Sequence, residues 1–160
     1  MSIQEGDQIP ACSSLKIMGE KGPAAISVDE LFKGKKVVLF AVPGAFTPGC
    51  SVTHLPGYVV QADRIKAKGV DSIVCMAVND AFVMDAWGKQ QNADEITMLA
   101  DGNGDLTRAM GLEMDATGFG MGTRCKRMAM IVDDGKVEYL AVEPAGGIEV
   151  SAAEAILERL

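Results

Sequence analysis

Apolar residues along the chain fall into two kinds of stretch, short unbroken blocks and runs that recur every three or four positions, and the two kinds alternate. Lys35 to Val42 (KKVVLFAV) and Ser72 to Val78 (SIVCMAV) are unbroken and rich in β-branched residues, as strands covered on both faces are. Ile96 to Ala100 predicts a third strand. Between the first two blocks Tyr58, Ala62 and Ile65 recur at helical spacing until Lys68-Gly69 closes the helix. That helix begins near Cys50, and Pro56-Gly57 is expected to interrupt it. Asn79-Asp80 can cap a helix through about Gln91, and Leu106 to Met110 predicts a short one. Ser27-Val28-Asp29-Glu30 is a capping box ahead of the first block.

Towards the C-terminus the pattern changes. Arg127 to Val132 and Val137 to Val142 flank Asp133-Asp134-Gly135-Lys136, which predicts two antiparallel strands around a tight turn, and Ser151 with Glu154 is expected to cap a last helix. Successive β-α-β units ending in β-β-α predict an α/β class, with a central mixed β-sheet flanked by helices in the thioredoxin-like arrangement. No repeat, linker or low-complexity tract divides the chain, so residues 1–160 are expected to form one domain.

Charge and composition narrow the partners. Fifteen Lys and Arg against 22 Asp and Glu leave a net charge of −7, which opposes binding to nucleic acid or to an anionic membrane surface. No stretch approaches the roughly 18 apolar residues of a spanning helix. The opening MSIQEGDQIPA lacks the basic and apolar regions of a signal peptide, so a cytoplasmic location is expected. A small molecule or a protein is the expected partner.

Four cysteines, at 12, 50, 75 and 125, form no CxxC pair, and a single histidine makes a zinc site a poor reading. Cys50 stands apart because Pro43-Gly44-Ala45-Phe46-Thr47-Pro48-Gly49-Cys50 follows a buried strand and opens a helix, where open α/β sheets place ligand sites. Free N–H groups and the positive end of the helix dipole favour thiolate there. Thr47 can offer a hydroxyl to whatever the sulfur attacks, while Pro43 and Pro48 stiffen the loop. From the residues alone, a small buried cysteine beside a tight turn remains an equal reading.

The segment PGAFTPGCSVTHLPG closely resembles the active-site segment of peroxiredoxins of the type II subgroup: Pro43, Thr47 and Cys50 match its Pro, Thr and peroxidatic Cys. FKGKKVVLF, CMAVNDAFVMDAW, LADGNG and RMAMIVDDGKV extend the resemblance over nearly the whole chain. It implies a thioredoxin-like fold, reduction of hydrogen peroxide or alkyl hydroperoxides, a homodimer joined through loops around the site, no cofactor, and a catalytic arginine at the start of a late strand, here Arg127. Arg124, three residues earlier, is the competing candidate. Phe46 and Phe119 are expected to supply apolar dimer contacts. Two other readings use the same residues: a disulfide exchanger, and a redox sensor whose oxidised Cys50 alters a partner interaction.

Some type II members carry a resolving cysteine before the final helix, but Gly146-Gly147-Ile148-Glu149-Val150 contains none. Cys75, the usual second cysteine in related members, lies within a buried run. Cys125 is expected to have its pKa lowered by Arg124, Lys126 and Arg127 and to point the same way as Arg127. A one-cysteine cycle with an external reductant, glutathione with glutaredoxin or else thioredoxin, is therefore expected. His54 could form a hydrolase-like dyad with Cys50, though a packed or hydrogen-bonding role is the plainer expectation. Asp101 to Asp105 lacks the glycine and terminal Glu of a calcium loop and is read as a turn; Gly118 to Gly122 is read as a loop near the site.

Overall fold

The computed structural model describes residues 2–144 and 146–160. A hairpin that the apolar pattern did not announce comes first, β1 (Lys16–Gly19) and β2 (Gly22–Ala25). Ser27 then caps α1 (Val28–Phe32) through the expected reciprocal bonds with Glu30. The unbroken blocks form β3 (Lys36–Ala41) and β4 (Ser72–Ala77), parallel to each other, with α2 (Leu55–Ala67) between them in sequence. Asp80 caps α3 (Ala81–Gln90), which leads to β5 (Ile96–Ala100), parallel to β4. The remaining elements are α4 (Asp105–Ala109), a small separate hairpin of β6 (Glu113–Asp115) and β7 (Thr123–Cys125), then β8 (Met128–Asp133), β9 (Lys136–Val142) and α5 (Ala153–Leu157).

The main sheet runs β2-β1-β5-β4-β3-β8-β9, with β8 antiparallel to both β3 and β9. Asp134 and Gly135, at φ 50° and 80°, make the tight turn of the last hairpin. Alternation along the central strands divides the core. Val38, Phe40 and Cys75 face α2, α3 and α5, whereas Val37, Leu39 and Val74 face α1 and α4. Both faces of the central strands are thus covered, which is why their sequences carry no polar alternation.

Two local expectations are overturned. Pro56 does not break the helix: the chain stays helical from Pro48 to Ala67, and the strain is absorbed by a π-helical turn over Cys50–His54. Proline cannot donate to the carbonyl four residues back and its ring crowds it, so the preceding turn widens and Leu55 N–H reaches back to the Cys50 carbonyl. Ser151 does not cap α5, whose N-cap is Ala152 without a side-chain bond; its hydroxyl instead donates to Glu143 Oε2 at 2.6 Å.

Candidate active site

The loop after β3 is tied down from several sides. Ala45 N–H donates to Asn79 Oδ1 at 2.9 Å, anchoring the loop to the end of β4, and Ser51 N–H donates to the Thr47 carbonyl at 2.9 Å, so the helix opens at Pro48. Gly44 leaves room for the ends of two long side chains: a Cβ there would stand 2.9 Å from Arg124 Nη1 and 3.0 Å from Met121 Cε, and both would have to shift. The Thr47 hydroxyl donates to the Gly44 carbonyl at 2.7 Å. Its hydrogen is therefore engaged, and towards a ligand it presents lone pairs, as an acceptor rather than the donor expected from sequence. Trp87 Nε1 donates to Ser51 Oγ at 3.0 Å, fixing the residue next to Cys50.

Cys50 is wholly buried, and Arg127 reaches it from the start of β8, with Nη2 3.2 Å from Sγ. The other arm of the guanidinium, Nη1, lies 2.8 Å from His54 Nδ1, and His54 Nε2 lies 3.0 Å from the Ser151 carbonyl. Guanidinium can only donate and carbonyl can only accept, so the imidazole is neutral, bears its proton on Nε2 and accepts at Nδ1. Burial, seconded by the charge of Arg127, pulls the His54 pKa down to about 4, against the opposing pull of the Ser151 bond. A 73-residue separation hides this contact from the sequence.

This geometry decides several expectations. Arg127, not Arg124, meets the sulfur; Arg124 instead donates to the Pro43 and Met121 carbonyls at 3.2 and 2.9 Å and ties the two loops together. His54 forms no dyad with Cys50, because both ring nitrogens are committed elsewhere. Cys125 is corrected outright. It lies in the core on the opposite face of the sheet from Cys50, and burial pushes its thiol up to about 12 despite the cations beside it in sequence. Cys75 shares the core of Cys50, and burial raises its thiol far above the ordinary value. Asp101 is a buried turn residue that accepts from Leu106 N, Thr107 N and Thr107 Oγ1. No group of three His, Cys, Asp or Glu among the described residues could hold a metal.

A groove of about 890 Å³ opens over the loop, with Pro43, Thr47, Pro48 and Arg127 on one side and Phe119 and Met121, from the glycine-rich loop, on the other. Phe119, 86% exposed, lines the groove, while Phe46, 49% exposed, lies on the loop before Cys50 with its ring towards Trp87. Phe46 holds φ 65°, a left-handed conformation that costs about 1–2 kcal/mol in a non-glycine residue. A buried cysteine sulfur held at a helix start by a guanidinium, beneath an open groove on a thioredoxin-like sheet, is the arrangement of a thiol oxidoreductase.

Comparison with known proteins defines the class. The redoxin family model matches residues 4–157. Peroxiredoxin-2B of Arabidopsis thaliana is 49% identical over 135 residues, covering 84% of this chain and 83% of that protein. Peroxiredoxin-2C of Oryza sativa subsp. japonica is 46% identical over 159 residues, covering 99% and 98%. A crystal structure of reduced Prx3 from Vibrio vulnificus in complex with H2O2 superposes with a TM-score of 0.94 at 57% identity, covering 98% of each chain. The chain belongs to the redoxin family and within it to the type II peroxiredoxins, thiol peroxidases with a thioredoxin-like fold and a peroxidatic cysteine.

Proposed function

We propose that Cys50 is the peroxidatic cysteine and that it reduces hydrogen peroxide and alkyl hydroperoxides, with Thr47 and Arg127 orienting the peroxide. The observation that carries this reading is the 3.2 Å contact between Arg127 Nη2 and Cys50 Sγ. Cys50 thiolate attacks one peroxide oxygen, the S–O bond forms as the O–O bond breaks, and the electron pair leaves on the second oxygen. Sulfur is oxidised to sulfenic acid by two electrons, and the departing hydroxide or alkoxide takes a proton from solvent to become water or alcohol. Arg127 donates where negative charge grows on the leaving oxygen, Thr47 Oγ1 accepts from the peroxide O–H, and Pro43 shapes the wall of the groove. The crystallisation of the Vibrio protein with H2O2 supports the substrate class.

Recycling falls to an external thiol. Cys75 and Cys125 are both buried, and Cys125 lies across the sheet, so neither is presented to Cys50 for a bridge without rearrangement. Glutathione with glutaredoxin, or thioredoxin, would condense with the sulfenic acid, releasing water and leaving a mixed disulfide that a second thiol then exchanges. Scattered free thiols and a redox cycle of this kind suit a reducing cytoplasm. Exposed Phe46 and Phe119 support a homodimer formed around the site.

Peroxide consumption by Cys50→Ser tests the assignment: it should vanish in a protein that retains the native circular-dichroism spectrum, and surviving turnover in that folded variant removes Cys50 from its role. Treating reduced protein with one equivalent of peroxide and mapping thiols by mass spectrometry should find no stoichiometric Cys50–Cys75 or Cys50–Cys125 bridge. Such a bridge, with turnover lost when the second cysteine becomes Ser, overturns the one-cysteine cycle.

A further inference from the structure

We infer that Glu143 is a positioning residue for the Arg127 guanidinium, acting through the Ser151 carbonyl and the tautomer of His54. The inference rests on the reading of Cys50 and Arg127 as the reacting pair. Glu143 follows β9 and its Oε2 accepts three bonds from the segment before α5: from Glu149 N–H at 2.8 Å, Ser151 N–H at 2.8 Å and Ser151 Oγ at 2.6 Å. Its own N–H donates to the Arg127 carbonyl at 3.0 Å. One residue thus pairs with the backbone of the arginine and clamps the far end of the chain of contacts that aims its side chain.

The clamped Ser151 carbonyl is fully used. It accepts from His54 Nε2–H at 3.0 Å and from Tyr58 O–H at 2.7 Å, and Tyr58 is itself stacked on Phe40 with centroids 3.9 Å apart. Because this acceptor stands fixed, the imidazole proton must sit on Nε2, and Nδ1 is left as a lone pair for Arg127 Nη1. With Nη1 held, the fork geometry of guanidinium sets where Nη2 points. If the carbonyl were loose, His54 could take the other tautomer, whose Nδ1–H would face the donor Nη1 and push the guanidinium away from Sγ. Every member of the chain is satisfied, and no buried side-chain polar atom among the described residues lacks a partner.

The charge state of the clamp agrees with this role. Burial alone would push the Glu143 carboxyl up, but the bonds from Ser151 and Glu149 outweigh it and hold the carboxyl below the usual carboxylate range, so it is ionised at neutral pH. The charged and titratable groups facing His54 are Arg127, Glu143 and, ring against ring at 5.6 Å, Tyr58.

The chain has one histidine, so imidazole 15N labelling reads His54 alone. Wild type at neutral pH should show a single Nε2–H tautomer. Glu143→Ala and Glu143→Leu, which remove the acceptor oxygen, should mix in the Nδ1–H form, and Cys50 oxidation by hydrogen peroxide, followed by stopped-flow fluorescence of Trp87, should slow by about tenfold to a hundredfold, the scale of a small misplacement of a reacting group. An unchanged imidazole signal, an unchanged rate, or a slower rate with the wild-type tautomer in either folded Glu143 variant overturns the inference. Should Glu143→Ala not fold, Glu143→Leu alone decides it. Failure of wild-type Cys50 to react with peroxide would refute the functional reading, while the tautomer shift still tests the chain of contacts.

Discussion

Acid should destabilise this protein in part through His54, and His54→Gln isolates that contribution. Glutamine can accept from Arg127 through Oε1 and donate to the Ser151 carbonyl through its amide, so both bonds of His54 keep a partner while the titration disappears. The His54 pKa falls from the ordinary 6.5 to about 4 on folding. A depressed pKa means that the unfolded chain binds the proton more readily. The stability is therefore fully present above about pH 6.5 and is lost as pH falls towards about 4. Across the whole interval the loss is about 3 kcal/mol, and between about pH 7.5 and pH 5 it is about 2 kcal/mol. At about 2–4 °C per kcal/mol for a chain of this size, wild type should lose about 4–8 °C of melting temperature more than His54→Gln over that span. Carboxylates remote from His54 titrate alike in both proteins and cancel in the difference. Thermal or urea unfolding of the pair at the two pH values reads it. Parallel losses in wild type and variant would refute both the neutral assignment of His54 and the burial argument behind it.

Arg127→Ala should slow Cys50 oxidation in stopped flow by about 10²-fold or more, the loss expected for removal of one donor to a developing anion; wild-type rates would remove Arg127 from the site. Thr47→Val should slow the same step by about tenfold or more while Thr47→Ser restores most of the rate, since the acceptor oxygen and not the methyl group is what the peroxide meets. Native protein treated with iodoacetamide near pH 8 should remain unlabelled at Cys125, whose thiol is pushed up to about 12, and become labelled only on unfolding; rapid alkylation at Cys125 in the folded state would contradict its burial.

The fold was legible wherever one physical requirement acted alone. Strands covered on both faces must be apolar throughout, so KVVLFA and SIVCMA declare themselves, and a capping box or an Asp-Gly turn needs particular residues at particular offsets. The hairpin of β1 and β2 was hidden because four-residue strands such as GPAA carry neither β-branching nor alternation and gain their order from tertiary pairing. Pro56 misled because proline's usual penalty assumes an α-helical partner four residues back, and here the helix changed its winding instead. That Thr47 and Cys50 share one turn was legible because only three residues separate them. Residues 54, 127, 143 and 151 meet only through the sheet and the packing of α2 against α5, and no spacing announces them. Cys125 was misread by weighing its charged neighbours in sequence without the core that takes it from water.

The widened turn over Cys50–His54 has a consequence for the order in which the molecule comes apart. A π turn at a proline is the segment of a helix with the fewest well-aligned backbone bonds, and each such bond contributes only about 0.5–1.5 kcal/mol. Cys50 has no exposed surface, yet in the proposed one-cysteine cycle its oxidised sulfur meets the thiol of another molecule. Unwinding this one turn frees it at the cost of a few bonds, while α2 beyond Pro56 and the strands beneath stay folded. Amide exchange should show residues 50–55 opening as a separate low-energy unit, well below the global unfolding free energy. The proline that spoils the helix thereby sets a local melting point for the Cys50 turn and leaves the scaffold's own stability untouched.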